Sequence, residues 1–286
     1  MATRSGFDLE LVINRLLQRL FPAWYAVQAA KELQLDTMGP INPNSFTSRR
    51  WLDVEQTVAA CQSTLRDAGD EWQPLHALLG QLRVVNDVRQ TIALSDLNGI
   101  EYSQYNDDWP NLMAYAEHTV GDQAWESAEE FDQNLRTAFP NDQAPFTVRY
   151  REWDGRYVLV NDSDSRALSA TLHHIYNKQR DHKIKANLLV ESINPNALEK
   201  LQQQYWMVLM KREPAYQVLD LLQRANLNAI SAECEARRPD LVFLVARKQN
   251  KTINRVMLNL MDQRSSQQIQ DFGRYLLNHH FPFKSG

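Results

Sequence analysis

Six residues in the middle of the chain, Asn161-Asp162-Ser163-Asp164-Ser165-Arg166, hold its densest set of anion-gripping groups. They lie between an alternating run and a helical pattern, where a helix begins. Asp162 or Ser163 can cap free N–H groups there. Ser165 adds a hydroxyl and Arg166 a guanidinium in the first turn. Free amides, a hydroxyl and an arginine at a helix N-terminus make a binding site for phosphate. The expected ligand-binding set is therefore Asp162, Ser163, Asp164, Ser165 and Arg166, with an anion as the candidate ligand. A structural reading competes: the same residues make an amply capped helix start, with Arg166 paired to a nearby carboxylate.

Basic residues supply a second candidate chemistry. On alternating strands Arg149 and Arg151 face one side, opposite Val148 and Tyr150. With Lys183 and Lys185 they form one possible nucleic-acid surface. Arg247 and Lys248, at a strand-to-helix junction, form another. No helix-turn-helix or RNA-binding signature accompanies them, and a solvated or internally paired face competes. Glu233, Glu235, Asp240 and Lys248 invite a metal-dependent nuclease reading. The required Glu-x-Lys is missing, because the strand ends Ala246-Arg247-Lys248.

Other reactive side chains lack support. His173-His174 and His279-His280 are adjacent pairs, whose side chains diverge by about 100° on a helix, so no metal site is expected. Cys61 and Cys234 are the only cysteines and have no CxxC partner, which predicts two reduced, buried thiols. The P-loop, nucleophile-elbow, zincin and kinase patterns are all missing.

The run from Trp153 to Lys178 reads as hairpin, polar turn, then helix. It resembles the ParB-like / sulfiredoxin-like domain, in which a strand enters a D-G-x-H-R-type turn and then a helix. Asp162 stands at the motif Asp and Arg166 at the motif Arg, while Ser163 replaces the Gly and Ser165 the His. The similarity covers about 145–192. It implies a turn that holds nucleotide phosphate or partner groups. Losing the Gly hinders close backbone approach to phosphate, and losing the His removes the titrating group. The resemblance thus implies a degenerate domain that still binds an anion, or one that keeps only the scaffold.

The elements that must position these groups follow from periodicity. Helices are expected over 8–34, with a break at Pro22, over Val54 to Asp67 and over Leu75 to Leu94. Asp96-Leu-Asn-Gly99 reads as a turn, and 110–119 and 125–138 as helices. Phe146–Arg151 and Tyr157–Asn161 alternate about Asp154-Gly155, a strong hairpin signal. Helix is expected from Asp164 to Lys178, a strand over Lys185–Val190 and a helix over 195–204. The apolar runs Tyr205–Met210 and Leu241–Val245 predict buried strands. Helices then follow from Pro214, Thr252 and Gln267.

Charge divides the chain. The net formal charge is −4, yet residues 1–145 carry 10 Lys+Arg against 21 Asp+Glu, and the remainder 21 against 14. The sign changes at the Pro-containing stretch 139–145, where the period also switches from helix to strand. An α+β protein is expected: an acidic, mainly helical region at 1–142 and a basic α+β region at 143–286. The acidic half could cover the basic one. No stretch of about 18 apolar residues occurs and no secretory signal is evident, so the expectation is a cytoplasmic protein without a membrane partner.

Three function classes stay open. The first is a bacterial interaction or regulatory protein that binds a nucleotide or phosphate, a protein partner or itself. The second is an enzyme of nucleotide or nucleic-acid chemistry, a nuclease or phosphotransferase. The third is a nucleic-acid-binding accessory protein.

Overall fold

The computed structural model describes residues 9–38, 54–101, 112–120, 127–140, 145–160, 164–178, 181–234, 239–262, 264–265, 267–278 and 280–283. From the N-terminus run α1 (Leu9–Leu20), α2 (Pro22–Glu32), α3 (Val54–Asp67), α4 (Gln73–Gly80), β1 (Arg83–Ala93), β2 (Leu97–Glu101), α5 (Leu112–Val120) and α6 (Ala128–Ala138). There follow β3 (Phe146–Arg151), β4 (Arg156–Val160), α7 (Ser165–Lys178), β5 (Lys183–Ile193), α8 (Pro195–Gln204), β6 (Tyr205–Lys211) and α9 (Arg212–Arg224). The last are β7 (Ala229–Glu233), β8 (Leu241–Arg247), α10 (Lys251–Met261), β9 (Gln270–Asp271) and α11 (Phe272–Asn278). This is an α+β fold, with helices leading into mixed sheets and helices.

Two compact units interleave along the chain. One gathers the N-terminal segment to residue 39, Val54–Gly80 and Asn196–Tyr275; the other includes Gln81–Pro195 and the chain from Leu276. The expected division at 142/143 falls inside the second unit. Strand pairing explains this: β1, from the acidic part of the sequence, lies along β5, from the basic part, for eleven residues. Charge sign and period mark a change of element here, while backbone hydrogen bonding joins both sides of it.

The first unit is built on an antiparallel sheet in the order β7-β8-β6-β9. Every residue from Tyr205 to Met210 and from Leu241 to Ala246 is buried, as their unbroken apolar runs require of a sheet covered on both faces. Val218 and Leu222 of α9, Ile253, Val256 and Met257 of α10, and Ala26 and Ala30 of α2 pack with Val208, Val242 and Leu244. Phe243 meets Phe272 of α11 edge-on, with ring centroids 5.2 Å apart.

The second unit holds a mixed sheet in the order β1-β5-β3-β4-β2. Val148, Tyr150, Leu159, Ala186 and Leu188 form its apolar face and pack with Leu168, Leu172 and Ile175 of α7 and Leu112 and Tyr115 of α5. The hairpin of β3 and β4 turns at Glu152–Gly155, with Gly155 at φ 72°. β5 returns parallel to β3.

The helix expected over Leu75–Leu94 is instead α4 followed by β1. Val84, Val85, Val88, Thr91 and Ile92 are β-branched, which restricts χ1 and favours a pleated strand. Residues 97–101, expected to include only a turn, form β2 beside β4. The final helix begins later than expected, at Phe272, because Gln270–Asp271 pair with β6.

Candidate functional site

Asp164 decides the chemistry of the turn before α7. Its Oδ1 accepts the backbone N–H of Arg166 at 2.8 Å and of Ala167 at 3.1 Å. The amides expected to meet a phosphate are therefore held by the chain's own carboxylate, whose charge also opposes an anion. Ser165 and Arg166 open the helix as expected. Asp162 and Ser163 lie outside the described residues.

The basic residues of β3 share a face, and that face is paired internally. Arg151 Nη2 lies 2.6 Å from Glu101 Oε1, and its Nε 3.5 Å from Glu191 Oε2. Arg149 lies 3.5 Å from Glu101 and 3.6 Å from Glu191. Arg83 completes the cluster at 3.2 Å from Glu191, whose side chain is fully buried. Register places Lys183 and Lys185 on the same sheet face, exposed and farther along β5. Three arginines around two carboxylates, one of them buried, make a structural lock between strands rather than an open groove.

Arg247 and Lys248 do not act together. The Arg247 guanidinium donates to the Glu71 carbonyl and lies 5.9 Å from the centroid of the Trp72 ring. Lys248 turns instead toward Trp206. The nuclease set is also dispersed. Glu233 receives both Nη groups of Arg212, at 3.1 and 2.8 Å. It sits opposite Val242 at one end of β8, while Lys248 follows the other end, about 20 Å away at ~3.3 Å per residue. Glu235 lies outside the described residues.

The thiols are set up for inertness. Cys61 and Cys234 are both buried and form no disulfide, and Cys61 Sγ donates to the Glu233 carbonyl at 3.1 Å. Burial pushes the Cys61 thiol well above its ordinary pKa, with smaller pushes from Cys234 and Glu233. His173 lies 2.9 Å from Asn177, and His174 stacks on Phe131 with centroids 4.5 Å apart. Among the described residues no three His, Cys, Asp or Glu side chains converge on a metal position.

One cleft in the first unit does gather chemistry. It has a volume of about 550 Å³ and is lined by Trp206, Lys248, Leu258, Met261, Asp262, Asp271 and Arg274 among others. Lys248 follows β8 and reaches back over the start of β6. Its ammonium lies 4.1 Å from the centroid of the Trp206 ring and donates to the Gln202 carbonyl. The ring is fixed in turn, since Trp206 Nε1 donates to Asn254 Oδ1 at 2.8 Å and Asn254 Nδ2 donates to the Lys248 carbonyl at 2.7 Å. Burial lowers the Lys248 pKa from its ordinary value, and the Asp271 carboxylate partly opposes that shift.

The rest of the cleft comes from α10 and α11. Asp271 Oδ1 accepts the backbone N–H of Arg274 at 2.8 Å in the first turn of α11, and both residues line the cleft. Gly273 lets α11 pass close to Gln202 of α8: a Cβ there would stand 2.7 Å from Gln202 Cγ. Leu258 is 55% exposed, so one wall is apolar and open. Two cations, Lys248 and Arg274, balance two carboxylates, Asp262 and Asp271. Such a cleft suits a small charge-balanced molecule better than a polyanion. In the sequence only Lys248 was a candidate from this set. Trp206 reads there as one member of an apolar strand, and Asp271 and Arg274 as polar residues of a final helix.

An α+β protein of two compact units, one of which carries a charge-balanced polar cleft, is thus the class that fold and site define. The model of the family of unknown function DUF6685 matches residues 88–285, and the chain belongs to that family. No curated protein and no solved structure matches. No helix among the described residues is long and apolar enough to cross a membrane.

Proposed function

We propose that the chain is a binding protein for a small molecule that carries a carboxylate or phosphate beside an ammonium group. The observation that carries this reading is the Lys248 ammonium, partly desolvated over Trp206 in a cleft that also holds Arg274 and Asp262. A desolvated cation gains most from an anionic partner, because a low local dielectric strengthens the attraction. Lys248 and Arg274 take the anionic end, Asp262 takes the ammonium, and Leu258 and Met261 line an apolar body. This keeps the regulatory, non-enzymatic class of a bacterial cytoplasmic protein and moves its anion from the Asp162–Arg166 turn to the cleft.

The test is thermal unfolding with L-leucine, its des-amino analogue 4-methylpentanoate, phosphoethanolamine and ATP, each at millimolar concentration. Leucine or phosphoethanolamine raises Tm, the des-amino analogue does so less, and Lys248→Met abolishes the rise. A rise with ATP alone, a rise that survives Lys248→Met, or no rise with any probe overturns the reading.

A further inference from the structure

The edge strand β1 carries a pattern that its own sheet does not use. Among the described residues it pairs with β5 alone and ends the five-stranded sheet. Residues Val84 to Arg89 are exposed, with Val84 at 39%, Val85 at 44% and Val88 at 39%. An eleven-residue edge strand, rich in β-branched residues and exposed from Val84 to Arg89, presents a row of backbone donors and acceptors to another strand. Asp87 and Arg89 are exposed on one face of it, and neither has an ion pair among the described residues. Across β5 they meet Leu189 and Asn187, which offer no counter-charge.

A second copy of the same strand does offer one. Two sheets that pair edge to edge about a twofold axis keep their faces aligned, so the axis must pass through a residue. The register that pairs the full strand from Arg83 to Ala93 has its axis at Val88. In that register Asp87 stands opposite Arg89 of the second copy, and Arg89 opposite its Asp87. Val88 meets Val88, Asn86 meets Gln90, Val85 meets Thr91 and Val84 meets Ile92. Moving the axis one residue to Asp87 sets Asp opposite Asp. Moving it to Asn86 or Arg89 sets Arg opposite Arg. Like charges directly opposite destabilise a sheet, and opposite charges support it. The full-length register is thus also the charge-matched one.

We infer that β1 is a self-association surface, joining two copies of this chain antiparallel about Val88 into one ten-stranded sheet. The occupant is a second copy rather than an unrelated peptide, because strand length and charge order fix the same register.

Analytical ultracentrifugation of the full chain tests this. The wild type sediments as a dimer of the 33.2 kDa chain. Asp87→Arg places arginine opposite arginine at two positions and shifts the dimer dissociation constant upward by tenfold or more. The exchange Asp87→Arg with Arg89→Asp restores the pairing and the dimer. Val88→Cys cross-links through its own copy under mild oxidation, since residues opposite each other stand within disulfide reach. A monomeric wild type overturns the inference. So does a dimer that ignores Asp87→Arg, an exchange variant that stays monomeric, or a Val88→Cys chain that fails to cross-link.

Discussion

The Lys248 ammonium stands 4.1 Å from the centre of the Trp206 ring. The two residues meet at neighbouring ends of β8 and β6, which pair so that Trp206 lies opposite Ala246. A cation over a tryptophan face is attracted by the ring quadrupole, and by about 2 kcal/mol where water is excluded. Here the same burial that strengthens the contact disfavours the charged lysine. The side chain is held at a compromise that an incoming anion would resolve.

That compromise predicts a pH dependence. Burial lowers the Lys248 pKa from its ordinary 10.5, so between the two values the unfolded chain binds the extra proton. Stability contributed by this group therefore rises with pH through that window. Urea unfolding of the wild type and of Lys248→Met, compared at about pH 7.5 and pH 10, checks the sign. The wild type gains on the variant toward pH 10, and the opposite trend removes the desolvated lysine from the account.

Glu191 is the second place where removal should be costly. Its fully buried side chain faces Arg83, Arg149 and Arg151. Glu191→Ala leaves guanidinium charge in a poorly solvated place and costs about 3–5 kcal/mol. Glu101→Ala costs less, because that side chain is 19% exposed and water can replace it. Denaturant midpoints of the two variants should fall in that order.

The local architecture around these residues was largely legible. Alternation of Phe146, Val148 and Tyr150 about the Asp154-Gly155 turn defined the hairpin, and the Tyr205–Met210 and Leu241–Val245 runs defined the buried strands. Arg149 and Arg151 were correctly placed on one face. Their partners were not legible, because Glu101 and Glu191 lie 50 and 40 residues away and meet them only through strand order. β1 was misread for a related reason: Leu75, Leu78, Leu79 and Leu82 begin a helical period that β-branched residues then interrupt. The cleft was hidden because Trp206, Lys248, Asp271 and Arg274 come from four different elements or their junctions.

Asp164 separates the turn from the cleft experimentally. As the cap of α7 it satisfies two amides, so Asp164→Ala costs about 1 kcal/mol. Neither the wild type nor this variant should gain thermal stability from ATP or CTP through the turn. A nucleotide-dependent rise abolished by Arg166→Ala would return the ligand to the residues before α7.

Cys61 should resist alkylation. Its thiol is buried, donates to the Glu233 carbonyl, and is pushed well above its ordinary pKa, so little thiolate forms near neutral pH. Iodoacetamide should modify Cys61 in the native chain at least about 100-fold more slowly than a free cysteine, and at the ordinary rate in denaturant. Fast native modification, located by mass spectrometry, would show that the α3–β7 contact opens readily.

Gly155 tests how the C-terminal segment is fastened. Its φ of 72° disfavours any side chain, and a Cβ would stand 2.9 Å from Phe281 Cγ. Phe281 is held there by its carbonyl, which accepts the Tyr150 hydroxyl at 3.1 Å. Gly155→Ala therefore combines backbone strain of about 1–2 kcal/mol with a ring that must move. Phe281→Ala removes the ring and leaves the strain. In a double-mutant cycle the pair should cost less than the two single changes together, by at least about 0.5 kcal/mol. Strict additivity would mean that the segment after α11 does not rest on the hairpin turn in solution.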